Sequence, residues 1–140
     1  MPVHGNPGTL IRARAAFTQF ESVTFGFSRK ELALELGIVD TRIDGLVDEF
    51  KRFVAVALAT QGAMPSRSLD GVWHRVLVDP QFCRLVHSNP IGTLQHLECS
   101  PDEIRKEETR LLVERAFPAL HRREFWECAA AGCGDKTIKP

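Results

Sequence analysis

The stretch that decides the fold is residues 40–61, DTRIDGLVDEFKRFVAVALATQ. Its apolar side chains recur every three or four residues, the spacing that places them on one face of an α-helix. That face comprises Ile43, Leu46, Val47, Phe50, Val54, Ala57 and Leu58. We therefore predict a long helix over about 41–61, with Asp40 as its N-cap and with Gly62 and Pro65 ending it.

Two further helices are predicted before this one. The first has an apolar face of its own, formed by Leu10, Ala13, Phe17 and Phe20. The second begins at the capping box of residues 28–31, in which the Ser28 hydroxyl accepts a backbone N–H bond and the Glu31 side chain reaches back. It ends at Gly37, because glycine tolerates the left-handed backbone of a helix C-terminus.

The second half of the chain also carries helix signals. We predict helices over about 69–78, 80–89, 101–117 and 118–130, with a loop or an extended piece at 91–99. The 80–89 helix begins with Asp79 as cap and Pro80 as its first residue. The 101–117 helix begins at the capping box of residues 100–103, with Pro101 as its first residue, and Pro118 opens the last helix.

Length and composition define the fold class. The chain has 140 residues, of which 44% are hydrophobic and 26% charged, so it is typical of one globular domain. We predict an all-α fold, a single compact helical domain of five to seven helices over residues 9–130. Residues 1–8 are predicted to be a flexible arm and residues 131–140 a flexible tail, because both are rich in glycine, proline or polar residues.

Charge and hydropathy exclude several function classes. Eighteen Lys and Arg residues balance eighteen Asp and Glu residues, which gives no net field to attract nucleic acid or an anionic membrane surface. The longest apolar run, residues 53–59, is too short to span a bilayer. The N-terminus lacks the apolar core of a secretory signal, so we expect a cytoplasmic protein with reduced cysteines.

Residues 28–50, SRKELALELGIVDTRIDGLVDEF, have the helix–glycine–helix order of a DNA-binding helix-turn-helix. A recognition helix needs cations and amides against phosphates and base edges. The second helix here carries Asp40, Asp44, Asp48 and Glu49 against the single cation Arg42. An antiparallel helix pair within a bundle is therefore the favoured interpretation, and DNA binding is the weakest alternative.

The candidate site is in residues 68–96, SLDGVWHRVLVDPQFCRLVHSNPIGTLQH. This segment resembles the glycine-rich domain-containing proteins, in which D-x-x-W-H is followed by an aromatic-Cys pair and then by Gly and His. The matching residues are Asp70, Trp73, His74, Phe82, Cys83, Gly92 and His96. The likeness extends over about residues 40–126 and implies a helical architecture, but the family has no well-established activity to carry over.

The same residues suggest chemistry without any family. Asp70 and His74 are four residues apart, as are Cys83 and His87, so each pair shares one helix face. His96 and Cys99 follow nearby in the chain. Imidazole, thiolate and carboxylate are the ligands of zinc and similar transition metals. We predict His74, Cys83 and His96 as metal ligands, with Asp70 or His87 in lesser roles, and Asp70, Trp73, His74 and His96 as ligand-binding residues.

Two alternatives use these residues differently. In a purely structural interpretation Trp73 is a core anchor, His74 is a surface residue bonded to Asp70, and Cys83 is a small buried side chain. In a catalytic interpretation Cys83 is a thiolate nucleophile with His74 or His96 as its base. Our main expectation is a binding module for a metal, a small molecule or a protein, and a small enzyme is the alternative.

Overall fold

The computed structural model describes residues 7–60, 62–76, 79–80, 83–84 and 102–126. Within them the chain is all-α, as predicted, and none of the described residues forms a strand. The helices are α1 Pro7–Phe20, α2 Arg29–Leu36, α3 Asp40–Ala59, α4 Arg67–Val76 and α5 Glu103–Ala116, followed by a 3₁₀ turn at Arg123–Phe125. None of these helices combines the length and the hydropathy needed to span a bilayer.

Helix α3 is the centre of the fold. It contacts α1, α2, α4 and α5, and every residue from 49 to 59 is buried. Neighbours on all sides explain why the one-sided apolar pattern of its first half gives way to the continuous apolar run of residues 53–59. Glu49, Lys51 and Arg52 are buried with this run, so each requires polar partners inside the protein.

Helix α1 runs antiparallel to α3 and supplies cations to helix ends. The Arg12 guanidinium donates to the Ala59 carbonyl at 2.9 Å, and Arg14 Nε donates to the Ala116 carbonyl at 2.9 Å. At the other end of the pair, Lys51 Nζ donates to the carbonyls of Val23 at 2.7 Å and Glu21 at 3.2 Å. These bonds satisfy carbonyls that have no partner within their own helix.

The Ser28 cap and the Gly37 end are confirmed for α2, where the Glu31 side chain pairs with Arg75, and the caps of two other helices are displaced. Ser28 Oγ accepts from the Glu31 N–H at 3.2 Å, and Gly37 has a left-handed φ of 70°. For α3 the N-cap is Val39, so Asp40 is the first helical residue rather than the predicted cap. For α5 the cap is Asp102, two residues beyond the predicted Ser100, and its Oδ1 accepts from the Arg105 N–H at 3.0 Å.

Helix boundaries differ from the predictions by a few residues. Helix α1 begins at Pro7, inside the predicted arm, α3 ends at Ala59 rather than at 61, and α4 begins at 67 rather than 69, while its predicted last residues, 77 and 78, lie outside the described residues. The Cys83 N–H donates to the Asp79 carbonyl at 3.1 Å, the bond of one helical turn. The rest of the 80–89 helix, the 91–99 loop and the 131–140 tail lie outside the described residues.

The helix predicted over 118–130 is wrong in its described part. Residues 117–120 form a bend and a turn, residues 121–122 have no regular structure, and only Arg123–Phe125 make a 3₁₀ turn. The reason is tertiary, because the Arg122 N–H and the His121 side chain both donate to the Glu49 carboxylate instead of following a helical pattern. Contacts made across the fold override local helix propensity here.

Gly71 allows α2 and α4 to pack closely, and this yields a first prediction. A Cβ at position 71 would overlap Cδ2 of Leu36. Alanine normally gains about 1 kcal/mol over glycine inside a helix, but overpacking costs about 1–3 kcal/mol. We expect Gly71→Ala to be less favourable for the free energy of unfolding in the wild type than in a Leu36→Ala background, as measured by urea unfolding, because the end of the Leu36 side chain has to shift to admit the methyl group. Equal effects in both backgrounds would contradict this packing argument.

Lys51 yields a second prediction, which concerns pH. Burial lowers the pKa of its ammonium below the usual 10.5. Between the lowered value and 10.5 the unfolded chain binds more protons than the folded one, so the free energy of unfolding rises with pH across this interval. In Lys51→Met we expect the free energy of unfolding no longer to rise with pH over this interval. In Lys30→Met, which changes an exposed lysine on α2, the rise should remain. Urea unfolding at a series of pH values measures both slopes, and identical slopes would refute the assignment.

Candidate functional site

Helix α4 places the residues of the D-x-x-W-H motif in two environments. Trp73 is 3% exposed, and its ring centroid lies 5.9 Å from that of Phe50 on α3. Leu69, Val72 and Val76 are fully buried on the same side. Trp73 therefore anchors α4 in the core, as the structural interpretation of the sequence predicts for this residue.

His74 lies on the opposite side of α4, with 52% of its side chain exposed. Its Nδ1 is 2.8 Å from the Asp70 carbonyl oxygen and 3.7 Å from Asp70 Oδ2. Because a carbonyl oxygen only accepts, Nδ1 carries the hydrogen of this bond. The imidazole is thereby held in one orientation beside a carboxylate, while much of its surface faces solvent.

The surface of α4 is connected to α2 by side chains. Arg75 pairs with Glu31 at 3.4 Å and with Glu35 at 3.3 Å. Leu36 lies against Gly71, in the middle of the motif. These exposed ion pairs each contribute little energy, but together with the apolar contact they align α4 with its neighbour. The Asp70–His74 pair thus projects from a helix that is supported on two sides.

The chain beyond α4 is anchored at Asp79. Its Oδ2 accepts from the Gly26 N–H at 2.7 Å, and the residue is 6% exposed. This bond connects the loop between α1 and α2 to the turn that carries Cys83, whose side chain is half-buried. Cys83 thus follows the anchored Asp79 by one helical turn, on the continuation of the segment that carries His74.

The remaining predicted site residues lie outside the described part of the chain. These are His87 and His96, together with Phe82, Gly92 and Cys99 of the same segment. Among the described residues, no group of three His, Cys, Asp or Glu side chains is arranged to hold a metal ion. The structure brings Asp70 and His74 together, and it places Trp73 in the core.

Sequence analysis missed a polar cluster around Glu49. This residue is fully buried, although it was counted among the surface acids that argue against DNA binding. Its Oε1 accepts from Arg52 Nε and from the Arg122 N–H, both at 2.9 Å. Its Oε2 accepts from His121 Nδ1 at 2.7 Å and from Trp126 Nε1 at 2.6 Å. One carboxylate thus receives four donors, three of them from residues 121–126.

The cluster continues from His121 to α5. Arg110 Nη1 lies 3.3 Å from His121 Nε2, and since a guanidinium only donates, Nε2 accepts and Nδ1 carries the hydrogen that binds Glu49. Arg110 also makes a two-bond pair with Glu107 at 2.7 and 3.0 Å and a bond to Glu114 at 3.1 Å. The hydrogen bonds from Arg110 lower the pKa of the Glu107 carboxyl. This network is buried at Glu49 and Arg110, reaches solvent at Glu107 and Glu114, and connects α3, α5 and residues 121–126.

One sequence signal could have revealed this cluster. Glu49 lies three residues after Leu46 and four before Phe53, so helical spacing places it on the apolar face of α3. A carboxylate on such a face requires buried donors. The identity of the donors does not follow from spacing, because His121 and Trp126 are more than 70 residues away.

The chain was compared with models of protein families, with curated proteins and with solved structures, and none of them matches it. The role of the α4 surface is therefore argued from its geometry.

The two environments of α4 yield a third prediction. We expect Trp73→Ala to cost about 3–5 kcal/mol of unfolding free energy, because it opens a cavity in the core. We expect His74→Ala to cost less than about 1 kcal/mol, because the side chain is exposed and its main bond is local. Urea unfolding of both variants measures this contrast. If His74→Ala lowered the unfolding free energy as much as Trp73→Ala, His74 would be a structural residue of the core and not a binding residue.

Proposed function

We propose that this protein is a small helical binding module with its ligand site on the exposed side of α4, at Asp70 and His74. The observation that supports it is the imidazole held at 2.8 Å from the Asp70 carbonyl while its side chain is 52% exposed. An oriented polar group on a supported helix binds a ligand with little further loss of entropy.

The ligand we propose is a transition-metal ion such as zinc. With Nδ1 bonded to the helix backbone, Nε2 is the nitrogen that would bind the metal, and a histidine ligand commonly has its other ring nitrogen bonded to a carbonyl or carboxylate in this way. Cys83 is the proposed thiolate ligand, and His96 the proposed third ligand. The thiolate requires a reduced cysteine, so the proposal places the protein in a reducing compartment such as the cytoplasm.

We propose that this protein is related to the glycine-rich domain-containing proteins, which residues 70–96 resemble. This resemblance concerns the architecture and the shared positions Asp70, His74, Cys83 and His96, and it adds no activity. The proposed function therefore rests on the α4 geometry and not on the family.

A fourth prediction tests the metal. Elemental analysis by mass spectrometry should find about one zinc per chain in untagged protein, because three protein ligands and a water complete a tetrahedral zinc site. His74→Ala should bind zinc at least about 10-fold more weakly by titration calorimetry, and Asp70→Asn should have a smaller effect, since the backbone bond that orients the ring remains. Cys83→Ser and His96→Ala should also weaken binding.

His4→Ala is the matched control, since it removes a histidine that the proposal does not use. It should retain zinc at the wild-type ratio. Zinc should also raise the unfolding midpoint of the wild type and of His4→Ala but not of His74→Ala, by linkage. Absence of zinc in the wild type, or equal losses in the two histidine variants, would overturn the metal site.

A further inference from the structure

Residues 117–126, here called the C-terminal strap, bury large side chains with little regular structure. Phe117, Phe125 and Trp126 are 3–6% exposed. The strap's own backbone bonds are those of turns, such as Leu120 N–H and His121 N–H to the Phe117 carbonyl. Because turns of this kind are weakly stable alone, contacts with the rest of the fold must hold the strap in place.

Three of the polar contacts that hold the strap end at a single group, the Glu49 carboxylate. It accepts from the Arg122 N–H, from His121 Nδ1 and from Trp126 Nε1. Other contacts come from the Ser66 hydroxyl, just before α4, which donates to the Phe125 carbonyl at 2.6 Å, from Arg110 at His121 and from Arg42 at Glu124. Removing the acceptor at Glu49 therefore removes three strap bonds together.

The strap covers the face of α3 around Gly45, Glu49 and Phe53. The Trp126 ring centroid is 6.0 Å from that of Phe53, and the Arg42 guanidinium lies 5.2 Å from the centre of the Phe125 ring. A Cβ at Gly45 would come within 3.4 Å of Phe125, so the strap lies directly on the helix backbone. Opening of the strap would uncover an apolar surface with a carboxylate at its centre.

The rest of α3 is held by other contacts. Helix α1 packs along it, and Arg12 and Lys51 bond carbonyls at the two ends of this pair. None of these bonds involves the strap, whose contact with α1 is the pair of Phe117 and Phe17 rings, with centroids 4.8 Å apart.

We propose that the C-terminal strap is a separately releasable unit, whose docking on α3 depends on Glu49 and which opens while α1 and α3 remain folded.

Hydrogen exchange of the full chain tests this, with the Arg122 amide as the direct reporter because its N–H binds Glu49. Glu49→Gln keeps the shape but places an NH₂ group against two donors in either amide orientation. We expect exchange at Arg122 to accelerate about 10- to 100-fold, as for loss of a hydrogen bond to a buried charged group. The exchange rates of the amides of α1 and of residues 53–59 should rise by a factor at least ten times smaller than the rise at Arg122.

Glu114→Gln is the matched control, because Glu114 is a half-exposed carboxylate that contacts the same network through Arg110. It should leave exchange at Arg122 within about threefold of the wild type, as expected for an exposed pair. An unchanged Arg122 rate in Glu49→Gln would overturn the proposal. Equal acceleration across α1, α3 and the strap would overturn it as well, since the strap would then open only with the whole fold.

Trp126→Phe provides a second test should Glu49→Gln fail to fold. It keeps an aromatic ring near Phe53, removes the indole donor to Glu49 and reduces the volume of a buried ring. We expect a selective rise in strap exchange of about 3- to 10-fold, the effect of one hydrogen bond. A rise that is no larger in the strap than in α1 would refute the strap as a separate unit.

Discussion

A carboxylate with no exposure to solvent lies in the central helix, and the C-terminal part of the described chain is arranged around it. Burying Glu49 without donors would cost several kcal/mol, a large share of the roughly 5–15 kcal/mol that stabilises a domain. Arg52 supplies one donor locally, and His121, Arg122 and Trp126 supply three more from the far end of the chain. The need to satisfy this one group explains why residues 117–126 return to α3 instead of continuing α5.

Three further cations, the buried Lys51 and the exposed Arg12 and Arg14, bind backbone carbonyls. Lys51 binds the carbonyls that follow α1, Arg12 binds the end of α3, and Arg14 binds the end of α5. Helix C-termini carry carbonyls without partners and partial negative charge, so cations from a neighbouring helix are suited to them. The bonds of Arg12 and Lys51 help to fix the register of α1 along α3, which apolar contacts alone specify poorly.

The sequence predicts those features of the fold that depend only on residues close together in the chain. The apolar spacing of α3, the Ser28 cap and the left-handed Gly37 are local, and the structure confirms them. Asp102 caps α5 in place of Ser100, because two neighbouring residues could each accept the N–H bond and their spacing does not select between them. The prediction of a helix over residues 118–130 is wrong for the strap because the strap's conformation depends on bonds from His121 and Arg122 to Glu49. These residues are 72 or more positions away from Glu49 in the chain.

In the candidate site, too, sequence spacing predicts which residues lie together but not which of their atoms bond. The spacing of Asp70 and His74 predicts that they share a face of α4, and they do, but it does not tell which oxygen the imidazole meets. The ring bonds the Asp70 carbonyl at 2.8 Å, with the carboxylate 3.7 Å away. Orientation therefore comes from the helix backbone, and the side chain of Asp70 contributes charge. Because Trp73 fixes the same helix turn in the core, the geometry of His74 is a property of the fold, and Asp70 can tune the electrostatics of the site without disturbing it.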